Sequence, residues 1–390
     1  MQSKTSYIEE TMTVPDIVGD VGIHAGGTLT VDLDAIATNF RTLQAHVGSA
    51  ICGAVVKADA YGLGVARVAP ALYAAGCRSF FVAHVDEGIA LRSHLPARAH
   101  IYVLHGPLPG SEVDCVENRL VPILNSLEQL AAWAAVARLR GSRLSGGLQV
   151  DTGMARLGLS PRDVEIVRQR QDDLSAIELR LVMSHLACAD TPTHPANEAQ
   201  RAAFAIRCAS LPRVPASLSA SSGIFLGKPY HHNMVRPGAA LFGVAPRLDR
   251  PNPMLPVVRL DARVIQVRDV PTGTPVGYGH IVKTTSPARL VTIAMGYADG
   301  YLRSGVGRGA AWFCGTPLPI VGRISMDSIV LDATRVPQGA IREGASIEII
   351  GEHRDIGTVA AELGTIGYEV LTSLRHRYHR RYVTGGKAAA

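Results

Sequence analysis

Residues 54–64 read AVVKADAYGLG, and with Ile51-Cys52-Gly53 ahead of them they form a short apolar run that ends on a lysine and a glycine-punctuated turn. A run this short and this apolar reads as a buried strand. Buried strands reject an ammonium group unless something offsets its desolvation. Lys57 is therefore either a surface residue just past the strand end or a working group in a site.

Outward from this stretch, one unit keeps returning up to about residue 245: an apolar or β-branched run, a small turn, then an amphipathic segment rich in Ala, Arg and Glu. The strand candidates are 51–57, 79–84, 100–105, 120–125, 146–151, 177–185, 215–221 and 233–241. Helical patterns such as VARVAPALYAAG (65–76), SLEQLAAWAAVARLRG (126–141) and PRDVEIVRQRQDDL (161–174) lie between them. Eight such units in under 200 residues predict an α/β chain whose main body is a (β/α)8 TIM barrel. A doubly wound open sheet is the competitor, but it seldom runs eight units without a long insertion.

After residue 250 the texture changes. PNPMLPVVRL (251–260) is a proline-marked linker, followed by alternating strand patterns (ARVIQVRDV, ARLVTIAMGY, LPIVGRISMDSIVLDAT, ASIEIIG) and one late helix, DIGTVAAELG. The expected organisation is a polar tail over 1–27, the barrel over 28–250 and a C-terminal mostly-β domain over 251–385.

Composition narrows the function. At 390 residues and 47% hydrophobic the chain can bury two cores. It is basic, net +6, but its 34 arginines are scattered beside acids, which reads as solvated surface and not as a nucleic-acid site. Cysteines 52, 77, 115, 188, 208 and 314 form no CxxC pair, which points to reduced thiols in a cytoplasmic protein with no disulfide frame and no metal. No stretch reads as a secretory or membrane-spanning segment, so no membrane partner is expected.

Barrel enzymes carry their chemistry at the C-terminal ends of the strands. The polar residues there are Lys57, His84, Asn125, Asp151-Thr152-Gly153, His185, Ser221-Ser222-Gly223 and Arg236-Pro237-Gly238. The last two groups occupy the loops where this fold usually binds phosphate. Phosphate at that corner, with a lysine after the first strand, points to a phosphorylated aldehyde held as a Schiff base, of which pyridoxal 5'-phosphate is the common one. The chain has only five lysines, and the other four (Lys4, Lys228, Lys283, Lys387) sit in tails or exposed-looking loops.

AVVKADAYGLG resembles the cofactor-lysine motif of bacterial alanine racemases, fold-type III pyridoxal-phosphate enzymes. The resemblance runs over roughly residues 28–383 and recurs in order: VDTGMARLG (150–158), SHLACAD (184–190), NMVRPGAALFG (233–243), VGYG (276–279), GYADGYLR (296–303), GRISMD (322–327) and GTIGYEVL (364–371). It implies racemisation of L- and D-alanine through an external aldimine, in a homodimer with shared active sites, supplying D-alanine for peptidoglycan or catabolising it. Lys57 would be the Schiff-base lysine and one base, and Tyr278 of the partner subunit the other. Tyr61, Ser222, Gly238, Ala239 and Tyr368 would contact the phosphate, and Arg236 would face the pyridine nitrogen. Arg156 would meet the ring oxygen and the substrate carboxylate, and His185 would orient Tyr278. Met326 would offer its backbone N–H to the carboxylate, with Tyr297 and Asp327 lining the entry.

Taken alone, these residues have plainer readings. Tyr278 is a turn aromatic, His185 a satisfied core histidine, Arg156 a helix-face charge, and HRYHRRY (376–382) solvated surface. Two positions depart from the family pattern. Gln149 stands where many members carry a carbamylated lysine, so Arg156 is expected to be held by a neutral amide or by a bound anion such as chloride. Ser221 stands where asparagine is common, which puts one hydrogen bond of the phosphate corner in doubt. Two other functions compete: a non-catalytic cofactor carrier, which would lack Tyr278 and the β domain, and a basic amino-acid decarboxylase, whose glycine-rich phosphate loop and cysteine motif are not visible here.

Overall fold

The computed structural model describes residues 22, 24–169, 171–385 and 387–388; the expected tail lies almost entirely outside them. The first strand, β1 (Gly27–Asp32), leads into a helix over Leu33–Val47 that Asp32 caps by accepting the Ala35 N–H at 2.8 Å. A parallel sheet follows, built from β2 (Ile51–Cys52), β3 (Ala54–Val55), β4 (Ser79–Val82), β5 (His100–Val103), β6 (Leu120–Leu124), β7 (Leu144–Gln149), β8 (Ile177–Met183), β9 (Ala216–Ala220) and β10 (Met234–Arg236).

β2 and β3 are two halves of one strand interrupted at Gly53, and they close the ring. Ile51, Gly53 and Val55 donate to the carbonyls of Asn233, Val235 and Pro237 (2.8–2.9 Å), while Ala54 and Val55 pair with Phe80 and Phe81 on the other side. Glycine is required at the interruption, because a Cβ there would lie 2.7 Å from the Phe81 ring. The expected eight-unit barrel is thus present, in chain order. Its strands read as continuous apolar runs: every residue of β4 (SFFV) and β6 (LVPIL) is buried, as a sheet covered on both faces demands.

The second sheet contains β11 (Val258–Val270), β14 (Ala288–Ile293), β15 (Ala310–Phe313), β16 (Thr316–Pro319), β17 (Ile329–Asp332), β18 (Ser346–Ile350) and β19 (His379–Thr384). A separate two-stranded hairpin, β12 (Pro275–Val276) and β13 (Val282–Lys283), stands beside it. β1 does not join the barrel. It pairs antiparallel with β11 and parallel with β19, inside the sheet formed by the C-terminal half. Its GTLTVD alternates buried and half-buried residues, the period of a strand with one face on a core. The chain therefore starts in one layer, builds the barrel, and returns.

Candidate active site

The turn that carries Lys57 is unusual. Ala58, Asp59, Ala60 and Tyr61 hold φ of 53, 54, 54 and 58°, a full left-handed turn without a glycine in it. Such backbone costs an L-residue about 1–2 kcal/mol, so the turn has to be held by its surroundings. Glu87 does part of this. Its carboxylate accepts the N–H groups of Ala58 (2.6 Å), Ala83 (2.7 Å) and His84 (3.2 Å), joining the ends of the first two barrel strands. The result places the half-buried Lys57 at the barrel mouth. Burial first, and then the Arg156 guanidinium, hold its ammonium below the usual range, with Glu87 pulling the other way.

Across the mouth, Arg236 is buried and has no acidic partner among the described residues. It donates to Ser217 Oγ (2.5 Å) and the Ser184 carbonyl (2.7 Å), and lies 3.4 Å from His185 Nδ1. Burial pushes the guanidinium down to about 9, which leaves it cationic at neutral pH. His185 is pushed down to about 3, by burial first and then by Arg236, Arg156 and Lys57, so its ring stays neutral. The plain core-histidine reading does not describe it: its neighbours are three cations.

The phosphate corner is assembled from four segments. Ser221 Oγ accepts the N–H groups of Gly238 (3.0 Å) and Ala240 (3.2 Å), so the serine that departs from the family pattern organises the last barrel loop. The Gly238 N–H, expected to face phosphate, is directed at that serine. Burial raises the Tyr368 pKa, with Ser222 and Ser221 pulling the other way, and its ring centroid lies 6.2 Å from that of Tyr61. Tyr61 is buried against Phe242 at 5.0 Å. Ala239 is buried in the loop between them.

Arg156 lies on an irregular loop and not on a helix. Asp151 holds that loop by accepting the N–H groups of Gly153 and Met154 (2.9 Å each) and Ala155. Burial raises the Asp151 pKa, but these backbone donors more than offset it and keep the carboxyl below its ordinary value. Gln149 does not hold Arg156. Its side-chain amide donates to the Leu157 carbonyl at 3.1 Å, because its backbone already pairs with Leu159 and the side chain is buried under the loop. A cleft of about 370 Å³ opens here between His105, Asn125, Asp151 and Arg156.

Other expected residues stand apart from this group. Tyr278 sits at the tip of the β12–β13 hairpin between Gly277 (φ 69°) and Gly279 (φ 73°), 70% exposed and with no side-chain hydrogen bond among the described residues. Met326 is 52% exposed. The loops bearing Tyr297 and Met326 are laced together: Tyr297 N–H donates to Ser325 O (3.1 Å) and Ala298 N–H to Met326 O (3.0 Å). Arg377 then bridges Asp299 (2.6 and 2.7 Å) to Asp327 (2.7 Å).

Sequence reasoning passes over Glu87 and Gln200 and reads the cluster at 376–382 as solvated surface. Gln200 is buried and clamps the strand ends, accepting the Ala187 N–H (2.8 Å) and donating to His185 O (2.9 Å) and Thr152 Oγ1 (3.3 Å). The HRYHRRY stretch is not free surface: Tyr378 is buried, Arg380 and Tyr382 contact the Lys57 turn, and β19 is a sheet strand. Its run of cations masked a strand whose residues 379–383 are all half-buried.

The donor set fits pyridoxal phosphate: a lysine with a lowered pKa, a buried cation lacking an acid, and hydroxyls gathered beside the loops after β9 and β10. The descriptions of known proteins agree. Residues 31–246 match the family model "Alanine racemase, N-terminal domain" and 257–382 match "Alanine racemase, C-terminal domain". The chain is 50% identical over 366 residues to a catabolic alanine racemase of Agrobacterium fabrum, covering 94% of each. It is 46% identical over 385 residues to an alanine racemase of Brucella canis, covering 95% of this chain and 97% of the other. Alanine racemase from Bartonella henselae with covalently bound pyridoxal phosphate superposes with a TM-score of 0.89 at 40% identity, over 92% of this chain and all of that one. The chain belongs to the alanine racemase family, isomerases that depend on pyridoxal phosphate.

Proposed function

We propose that the chain interconverts L- and D-alanine by a two-base mechanism in which Lys57 of one copy and Tyr278 of a second copy flank the amino acid. Pyridoxal phosphate, when bound, supplies an aldehyde for the amino group and a ring that draws electrons from the α-carbon. The protein's own residues do the rest. Lys57 Nζ takes or returns the α-proton on one face, and Tyr278 Oη does so on the other. Burial and Arg156 lower the Lys57 pKa, which brings its free-base form closer to neutral pH. Cationic and hydrogen-bonding neighbours favour the phenolate form that a proton-abstracting tyrosine uses. Arg236 and neutral His185 are the neighbours the barrel mouth offers.

Arg156, without an acidic partner among the described residues, binds the substrate carboxylate, with the Met326 backbone N–H completing that contact from the second copy. With pyridoxal phosphate bound, Tyr61, Ser222, Ala239 and Tyr368 would hold the phosphate, and the Arg236 cation would keep the ring nitrogen unprotonated. Tyr297 and Asp327 line the entry. D-alanine made this way in the cytoplasm is available for peptidoglycan or, in reverse, for catabolism.

One observation carries the shared-site reading: Tyr278 is 70% exposed, set between two glycines and without a side-chain hydrogen bond among the described residues, while Lys57 stands half-buried at the barrel mouth. The test is complementation. Lys57→Ala and Tyr278→Phe are each expected to be nearly inactive. Mixed and re-associated, half of the dimers would pair one intact lysine with one intact tyrosine, restoring about a quarter of the wild-type rate. No recovery from a mixture shown to have exchanged subunits rejects the shared site.

A further inference from the structure

The left-handed turn over Ala58–Tyr61 is held at its amino end by Glu87, within the barrel. Its carboxyl end is held by the other sheet. Arg380 donates to the carbonyls of Gly62 (3.1 Å) and Leu374 (3.3 Å), and Tyr382 Oη donates to the Leu63 carbonyl at 3.0 Å. Gly64, at φ 90°, makes room for the phenol: a Cβ there would lie 2.0 Å from Tyr382 Oη. Gly62, at φ 81°, permits close approach from the helix over Gly367–Ser373, since its Cβ would lie 2.9 Å from Leu371 O. The two clamping residues sit on β19, whose Arg380 and Tyr382 register with Leu29 and Val31 of β1.

We propose that Arg380 and Tyr382 are positioning residues for Lys57, so that β19 sets the aim of the amine at the mouth of its own barrel. A strained turn is kept only where its ends are over-determined. Here the two carbonyls just past the turn, at 62 and 63, are each tied to a donor on β19, and β19 is anchored by a full parallel ladder to β1. Release of those donors lets the turn relax toward ordinary backbone and swings Nζ away from its productive position. The inference rests on Lys57 being the reactive amine and adds what holds it there.

The experiment compares Tyr382→Phe combined with Arg380→Met, Arg380→Lys alone, and His379→Ala as a same-strand control that lacks contact with the turn. Amide hydrogen exchange of residues 56–66 is followed in the holoenzyme and after cofactor removal, alongside steady-state kinetics and urea unfolding. The double variant is expected to exchange faster over 56–66 in both forms and to lose about 10- to 100-fold in kcat, with KM moving less than about threefold. Arg380→Lys is expected to retain most of both properties, and His379→Ala to match wild type. Unchanged exchange and kcat in the double variant, or an equal loss in His379→Ala, overturns the clamp. Borohydride reduction of the wild type separates the two levels: cofactor label on a peptide without Lys57 rejects the amine assignment, whereas label on Lys57 with an unaltered double variant rejects the clamp alone.

Discussion

Gly238 and Tyr61 touch so closely that a methyl group added to the glycine would lie 2.2 Å from the phenolic oxygen. The contact joins the turn after the first barrel strand to the loop after the last. It therefore sets where the tyrosine hydroxyl stands at the phosphate corner.

Gly238→Ala should displace Tyr61 and weaken cofactor binding without unfolding the barrel. Overpacking of this kind costs about 1–3 kcal/mol, or about 5- to 150-fold in the pyridoxal-phosphate Kd if the cost falls on the bound form. Titration of the apoenzyme with the cofactor, read by visible absorbance, checks it. An unchanged Kd would mean that Tyr61 takes no part in holding the phosphate.

The two halves of the Arg377 bridge should be unequal. Asp299 is 5% exposed and also accepts the Gly296 N–H at 2.9 Å, so Arg377→Gln leaves a buried carboxylate short of donors, at about 1–3 kcal/mol. Asp327 is exposed, and Asp327→Asn should cost less than about 1 kcal/mol. Urea midpoints read the difference. Because the bridged loops carry Tyr297 and Met326, the KM for alanine should rise in Arg377→Gln as well. Equal stability of the two variants would refute the assignment of the load to Asp299.

His185 makes stability fall in acid. Its imidazole titrates near 6.5 in the unfolded chain and at about 3 in the fold. Between those values the unfolded chain binds the extra proton, so the contribution is complete above pH 6.5 and is lost as pH falls from there toward 3. His185→Asn should therefore lose less stability than wild type between pH 7.5 and pH 5. Parallel losses in the two proteins would show that other groups govern this limb.

Tyr278→Phe should keep the visible absorbance of the bound cofactor and fail chiefly in taking the α-proton of L-alanine. The equilibrium between enantiomers is one, so net rates cannot show this. Solvent deuterium entry into each enantiomer can, and equal suppression from both sides would count against the two-base assignment.

Much of this was legible in advance because barrels write themselves into sequence. Strands covered on both faces become unbroken apolar runs, as in SFFV and LVPIL, and their order along the chain is their order around the ring. The site was legible only through motifs. KADAYG says that a lysine ends a strand and cannot say that the next four residues turn left-handed, since in Ala-Asp-Ala-Tyr only the aspartate tolerates that backbone well. The cluster at 376–382 was misread for a related reason. Five of its seven residues are Arg or His, which as a string reads as solvated charge, yet Tyr378 is buried and Arg380 and Tyr382 satisfy carbonyls more than three hundred positions away.

Local pattern alone settled that this chain alternates strands and helices, then strands, and where its one well-placed lysine falls. Periodicity and turn chemistry act between near neighbours, so one sequence carries them. Which sheet β1 joins, where the Gln149 amide points and what braces the Lys57 turn depend on pairs such as Thr28 with Asp261 and His379, or Leu63 with Tyr382, that only folding brings within reach. Those contacts come from the closing of the barrel and the return of the chain, and no short-range rule encodes them.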